Sequence, residues 1–169
     1  SGNKKTGLIG LFFLLIHTLR RQCLLIGKSV NLLYQRHDFF QKCFSVIKDR
    51  ARVHGVGVGS FRLMPKYPWY SVDSTTWVIT ALNGSILIPV QGSKSEVREV
   101  RAVGRRATEG SALAVAKLGG LARGYLSNYL SGLKLTIDDV CNKDSARLLV
   151  NIHAMHEAAH SAGIAHLFF

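Results

Sequence analysis

Val72-Asp73-Ser74-Thr75-Thr76-Trp77, continuing into Val78-Ile79-Thr80-Ala81-Leu82-Asn83-Gly84-Ser85-Ile86-Leu87-Ile88, is the stretch on which the reading of this chain turns. Asp73 is the only acidic residue between Asp49 and Glu96. Small hydroxyl side chains follow it, then β-branched and aromatic residues that read as a strand. Asn83-Gly84, set between residues 77–82 and 85–90, carries the two-residue signal of a β-hairpin. A lone carboxylate at a strand end, with Tyr67, Trp69, Tyr70 and Trp77 on either side, can present one nucleophile or base to a flat ligand. Asp and Ser also favour turns for local reasons, and a plain turn between two strands is the alternative.

Immediately upstream, Arg52-Val53-His54-Gly55-Val56-Gly57-Val58-Gly59 alternates Val with Gly. This pattern predicts a buried strand whose backbone comes close to something, either a ligand or a packed helix. The glycine spacing is not that of a dinucleotide fingerprint. Residues 60–65 read as a turn or short helix, and Pro65 and Pro68 keep the next segment extended. Residues 31–49 place apolar side chains at 32, 33, 39, 40, 43, 44, 46 and 47, the spacing of an amphipathic helix over a core. Before it, Leu24-Leu25-Ile26 reads as a short strand. The apolar run at residues 7–19 falls short of the roughly 18 residues a membrane-crossing helix needs. It reads as a buried element, with a signal segment or anchor as the alternatives.

Downstream of the central stretch the chain turns basic. The protein has 169 residues and a net charge of +12, which favours a polyanionic partner such as nucleic acid or an anionic surface. Arg98, Arg101, Arg105 and Arg106 form the densest cationic group and are the candidate nucleic-acid contacts. Three widely spaced cysteines (Cys23, Cys43, Cys141) make no disulfide framework and fit a reducing, cytoplasmic setting. Thr136 is placed to cap a helix, and residues 144–162 predict the last strong helix. No stable membrane insertion is expected.

Two family resemblances follow. His156-Glu157-Ala158-Ala159-His160-Ser161-Ala162-Gly163-Ile164-Ala165-His166 fits HExxHxxGxxH and resembles the zinc site of the metzincin peptidases. That resemblance implies zinc on His156, His160 and His166 with Glu157 as general base. The stretch from Val53 through Gly59, followed by Val72-Asp73-Ser74 and Asn83-Gly84, resembles the tRNA-guanine transglycosylase superfamily. The likeness extends to its archaeosine-type branch and its phage relatives that handle 7-deazaguanines.

The second resemblance implies a TIM-barrel strand ending on the nucleophile, here Asp73, which attacks C1′ and expels guanine. Val56, Gly57, Gly59 and Ser74 would line the base pocket, and Val72 stands where the family usually has phenylalanine. Cys141 and His153 fall near part of the family's zinc site, so zinc is a possible cofactor. The implied partners are tRNA or DNA, a small deazapurine base, and a further chain supplying the rest of the barrel. The expected fold class is therefore α/β: a partial TIM-barrel-like fragment, with a β-hairpin after the nucleophile strand and a helical C-terminal part. Residues 1–92 would end the catalytic domain, with 1–30 unassigned, and 93–169 would form a basic, mostly helical part. A sequence that opens on Ser1 and stops on Phe169 reads as a piece of a longer protein. The expected activity is pentosyl transfer, with a zinc peptidase or a non-catalytic basic nucleic-acid-binding module as rivals.

Overall fold

The computed structural model describes residues 23–27, 33–48, 50–90, 96–103 and 114–169. The apolar run at 7–19, Arg105 and Arg106 lie outside the described residues. The protein is mixed α/β, built on a small parallel sheet. Strands β1 (Cys23–Gly27), β2 (Arg52–Val56), β3 (Ser71–Asp73) and β6 (His166–Phe168) form a four-stranded sheet in chain order, every neighbouring pair parallel. Helix α1 (Leu33–Ile47) connects β1 to β2. The connection from β3 to β6 carries α2 (Thr76–Leu82), an antiparallel pair of β4 (Ser85–Pro89) with β5 (Val97–Arg101), and helices α3 (Gly120–Gly132), α4 (Ile137–Asn142) and α5 (Asp144–Ser161).

Period-two alternation divides the sheet into unlike faces. Val53 and Val72 point to one side and are buried, packed in one cluster with Phe40 of α1 and Ala154, Met155 and Ala159 of α5. Helix α1 presents Phe40, Cys43, Phe44 and Ile47 to that core, the i, i+3, i+4, i+7 stripe its sequence predicts. Phe40 meets Trp69 edge-on at 5.1 Å between ring centres, and Phe44 stacks on Tyr67 at 5.3 Å. Trp69 also donates its indole N–H to the Leu63 carbonyl at 3.1 Å, so its polar atom is satisfied in the interior. The opposite face of the sheet carries Arg52, His54, Val56, Ser71, Asp73, His166 and Phe168. Parallel sheets are ordinarily apolar on both faces, so a polar face here is a departure that needs a chemical reason.

Helix α5 joins two cores. Its C-terminal half lies in the cluster under the sheet, while Ala146 and Val150 pack with Ile86, Ile88, Val100, Leu126, Leu130 and Val140. Two buried polar residues lock it in place. Asn151 accepts from the Leu87 amide at 2.7 Å and donates to the carbonyls of Trp77 and Ser85 at 3.0 and 3.2 Å. Arg147 donates to the carbonyls of Ala81 and Val140 at 3.1 and 2.7 Å and pairs with Asp144.

These contacts explain the main correction to the sequence reading. Residues 77–82 belong to helix α2, not to a strand, and Asn83-Gly84 ends that helix instead of turning a hairpin. The Asn83 amide donates to Ile79 and the Gly84 amide to Ala81, with Gly84 at φ +78°. Asn-Gly suits a left-handed helix end as well as a hairpin turn. The β-branched run is held helical by α5, whose Asn151 and Arg147 take the Trp77 and Ala81 carbonyls. The antiparallel pair that follows β3 is β4 with β5. Residues 97–101, expected within a mostly helical part, are therefore a strand, and its ladder joins residues from both sides of position 92. Among the described residues no helix is long and apolar enough to cross a membrane.

Candidate active site

Asp73 is the last residue of β3, at the carboxyl edge of the sheet. The chain leaves β2 at Val56 and turns through Gly57, whose backbone adopts φ +67°, a conformation that favours glycine. That turn aims the Gly57 amide at Asp73, which accepts its hydrogen bond on Oδ1. The second oxygen, Oδ2, lies 3.5 Å from His54 Nε2. His54 Nδ1 is in turn 2.8 Å from Ser71 Oγ, and Phe168 meets the imidazole edge-on at 5.7 Å between ring centres. The Asp73 side chain is 40% exposed and that of His54 13%, so the carboxylate can be reached while the imidazole beside it is sheltered.

Gly59 comes against the turn that follows Asp73. A Cβ at this position would run into the hydroxyls of Ser74 and Thr76. Ser74 Oγ accepts from the Thr76 amide at 3.1 Å, which ties down the start of α2. The glycine-rich stretch and the aspartate stretch are thus one structural unit. Of the predicted pocket residues, Gly57 binds the carboxylate, Gly59 and Ser74 touch across the turn, and Val56 is exposed at the end of β2. A small cleft at this loop is lined by Phe40, Val56, Gly57, Val58, Gly59 and Leu63, so three of the four predicted pocket residues border it.

The aromatics flanking Asp73 take other roles than the one expected. Tyr67 and Trp69 belong to the core, with Trp69 buried. Trp77 packs against Phe169. Tyr70 forms a second polar group on the open face, at the opposite end of the strands from Asp73. Arg52 stacks over its ring at 4.4 Å and donates to its hydroxyl at 3.1 Å, and His166 Nε2 lies 3.1 Å from the same oxygen.

The metal candidates are not brought together. His153 Nδ1 is engaged with the Tyr129 hydroxyl at 3.1 Å, and Cys141 sits half-buried at the end of α4. Tyr129 itself is held neutral to high pH, its pKa raised by burial first and by Tyr125 and Glu157 next. His156 and His160 stack on the exposed face of α5 at 6.5 Å, while His166 is on β6 beside Tyr70. Among the described residues no group of three His, Cys, Asp or Glu side chains could hold a metal ion. Neither set of candidate zinc ligands is gathered into one cluster among the described residues. Arg98 is exposed on β5 and Arg101 half-buried on the same strand.

His54 and Ser71 are the site members that sequence reasoning missed. The available signal was parity: in a strand, residues 71 and 73 share a face, and a polar face on a parallel strand asks for a partner. The chain matches no protein-family model, no curated protein and no solved structure.

Proposed function

We propose that the chain carries the nucleophile of a transglycosylase-like base exchange on tRNA or DNA, with Asp73 as the attacking carboxylate. The observation that carries this reading is the Asp73 carboxylate at the C-terminal edge of a parallel strand, gripped by the Gly57 amide and left partly open. Ligands of α/β sheets sit at that edge. The strand order supports a barrel wall. Four strands run parallel in chain order, and α1 and α5 both contribute to the core under the Val53–Val72 face. In a closed (β/α) barrel the opposite, polar face would be the interior.

The step balances without a redox partner. An Asp73 oxygen forms a bond to C1′ as the C1′–N9 bond breaks, and its electron pair stays on the departing guanine, which takes a proton at N9. The incoming 7-deazaguanine loses the proton from its own N9, bonds C1′ through that nitrogen and releases the carboxylate. The intermediate is the glycosyl ester familiar from retaining glycosidases. Extruding the base from its stack suits a basic protein, which holds the backbone by charge.

The test is to incubate the protein with a guanine-containing tRNA stem-loop or single-stranded DNA and resolve adducts on a denaturing gel. Adduct from wild type and none from Asp73→Asn supports the reading. Salt-sensitive binding with no adduct from either leaves the non-catalytic basic module in its place.

A further inference from the structure

Asp73 is the outermost of three side chains linked on the open face: Ser71 Oγ, 2.8 Å from His54 Nδ1, and His54 Nε2, 3.5 Å from Asp73 Oδ2. The residue types are those of a hydrolytic triad, but the exposure is reversed. Ser71 is 4% exposed and lies beneath the imidazole, so its oxygen cannot be the attacking atom, whereas Asp73 is the accessible member. We propose that His54 is the positioning residue for the Asp73 nucleophile, with Ser71 selecting the tautomer in which it acts. This rests on reading Asp73 as the nucleophile.

A neutral imidazole has one N–H and one acceptor nitrogen, and the bond made by one nitrogen decides the role of the other. To donate to Asp73 from Nε2, His54 must accept at Nδ1, and the Ser71 hydroxyl supplies that donor. Gly57 holds Oδ1, and His54 faces Oδ2 at 3.5 Å, so each carboxylate oxygen has a potential donor beside it. Phe168 packs edge-on against the ring and adds a contact on that side. The Nε2–Oδ2 separation is long, as catalytic hydrogen bonds often are before substrate closes them. Holding a nucleophile in a near-attack geometry is where such support acts, and a misplacement of about 1 Å costs on the order of 100-fold in rate.

Two measurements on the full chain test this. In long-range proton–nitrogen NMR spectra of histidine-labelled protein, His54 is expected as the Nε2–H tautomer, with Ser71→Ala and Asp73→Asn each shifting the balance. A dominant Nδ1–H form, or a ring indifferent to both substitutions, overturns the proposal whatever the activity. In single-turnover adduct formation on a guanine-containing oligonucleotide, His54→Phe is expected to slow the chemical step by roughly 100-fold. The oligonucleotide Kd should stay unchanged, and His54→Gln, whose amide can still donate to Asp73, should recover most of the rate. If His54→Phe does not fold, Ser71→Ala gives the same comparison. Wild-type rates in His54→Phe with Asp73→Asn inactive would overturn the role of His54 alone. An adduct that persists in Asp73→Asn would overturn the nucleophile beneath it.

Discussion

The Gly57 amide donates to the Asp73 carboxylate across a separation of sixteen residues in the chain. That bond joins the ends of two neighbouring parallel strands and puts a backbone dipole on the one acidic group of the sheet. The donor is a backbone group whose direction is set by the fold of the loop. It also cannot rotate away as a side-chain donor could. The glycine that supplies it sits in the left-handed region, so the site's geometry is written into the backbone of a loop before any side chain contributes.

Gly57→Ala should therefore weaken both the fold and the carboxylate's orientation. No atom lies within 4 Å of the Cβ it would add, so the cost comes from φ +67° and not from a clash. A left-handed non-glycine residue costs about 1–2 kcal/mol. Urea unfolding should show that loss with an unchanged slope. A wild-type midpoint in Gly57→Ala would mean the loop relaxes freely and does not constrain Asp73.

Asn151→Leu should be among the most damaging single substitutions in the chain. Asn151 is fully buried and serves the Leu87 amide and the carbonyls of Trp77 and Ser85. Leucine fills similar space but leaves buried backbone groups without partners, at about 1–3 kcal/mol for each group stranded. Thermal unfolding should move down by several degrees or more. Hydrogen exchange should speed at the Leu87 amide before it does in β2. Equal protection at both would show that α5 and β4 are not joined through this side chain.

What could be read from the sequence follows from how local each signal is. The α1 stripe, the α5 stripe, strands β1 and β2, and the Thr136 cap each depend on spacing within one element, and all are present in the structure. Residues 77–82 were misread because Trp-Val-Ile-Thr favours strands intrinsically, and the deciding contacts come from Asn151 and Arg147, over sixty residues away. The closeness of Asp73 to Gly57 is implied by the family resemblance and not by spacing alone. His54 is implied by neither, because only the register that sets His54 opposite Ser71 brings its ring to the carboxylate. The aromatics that flank Asp73 in the chain serve elsewhere for a similar reason: Trp69 is taken by Phe40 and Phe44 of α1.

Chelation should leave the described fold intact. His153 is engaged by Tyr129, Cys141 is a free thiol packed at the edge of the second core, and His166 stands apart from His156 and His160. Melting curves with and without EDTA should superimpose. The exposed His156–His160 pair, one helical turn apart, should retain the protein weakly on immobilised nickel, and His160→Ala should abolish that retention. A chelator-induced drop in melting temperature would reveal a structural metal that these residues do not form.

The acid limit of stability should carry the signature of one helix cap. Asp139 accepts from Lys143, from the Thr136 hydroxyl at 2.7 Å and from the Thr136 amide at 2.8 Å, completing a capping box at the start of α4. These bonds, that from Lys143 foremost, hold its carboxyl well below the ordinary range. A depressed folded-state pKa means the folded protein resists protonation that the unfolded chain accepts. The contribution is thus complete above the unfolded value of about 3.9 and is lost as pH falls through the lower folded value. Lys143, raised mainly by its bond to Asp139, has the opposite sign, and its contribution fades only at strongly alkaline pH. Urea midpoints measured from pH 7 down to pH 2 should therefore fall more steeply below pH 4 in wild type than in Asp139→Asn, with the two curves converging toward the acid end. Curves that stay parallel across that range would show that this carboxylate's protonation is not coupled to folding.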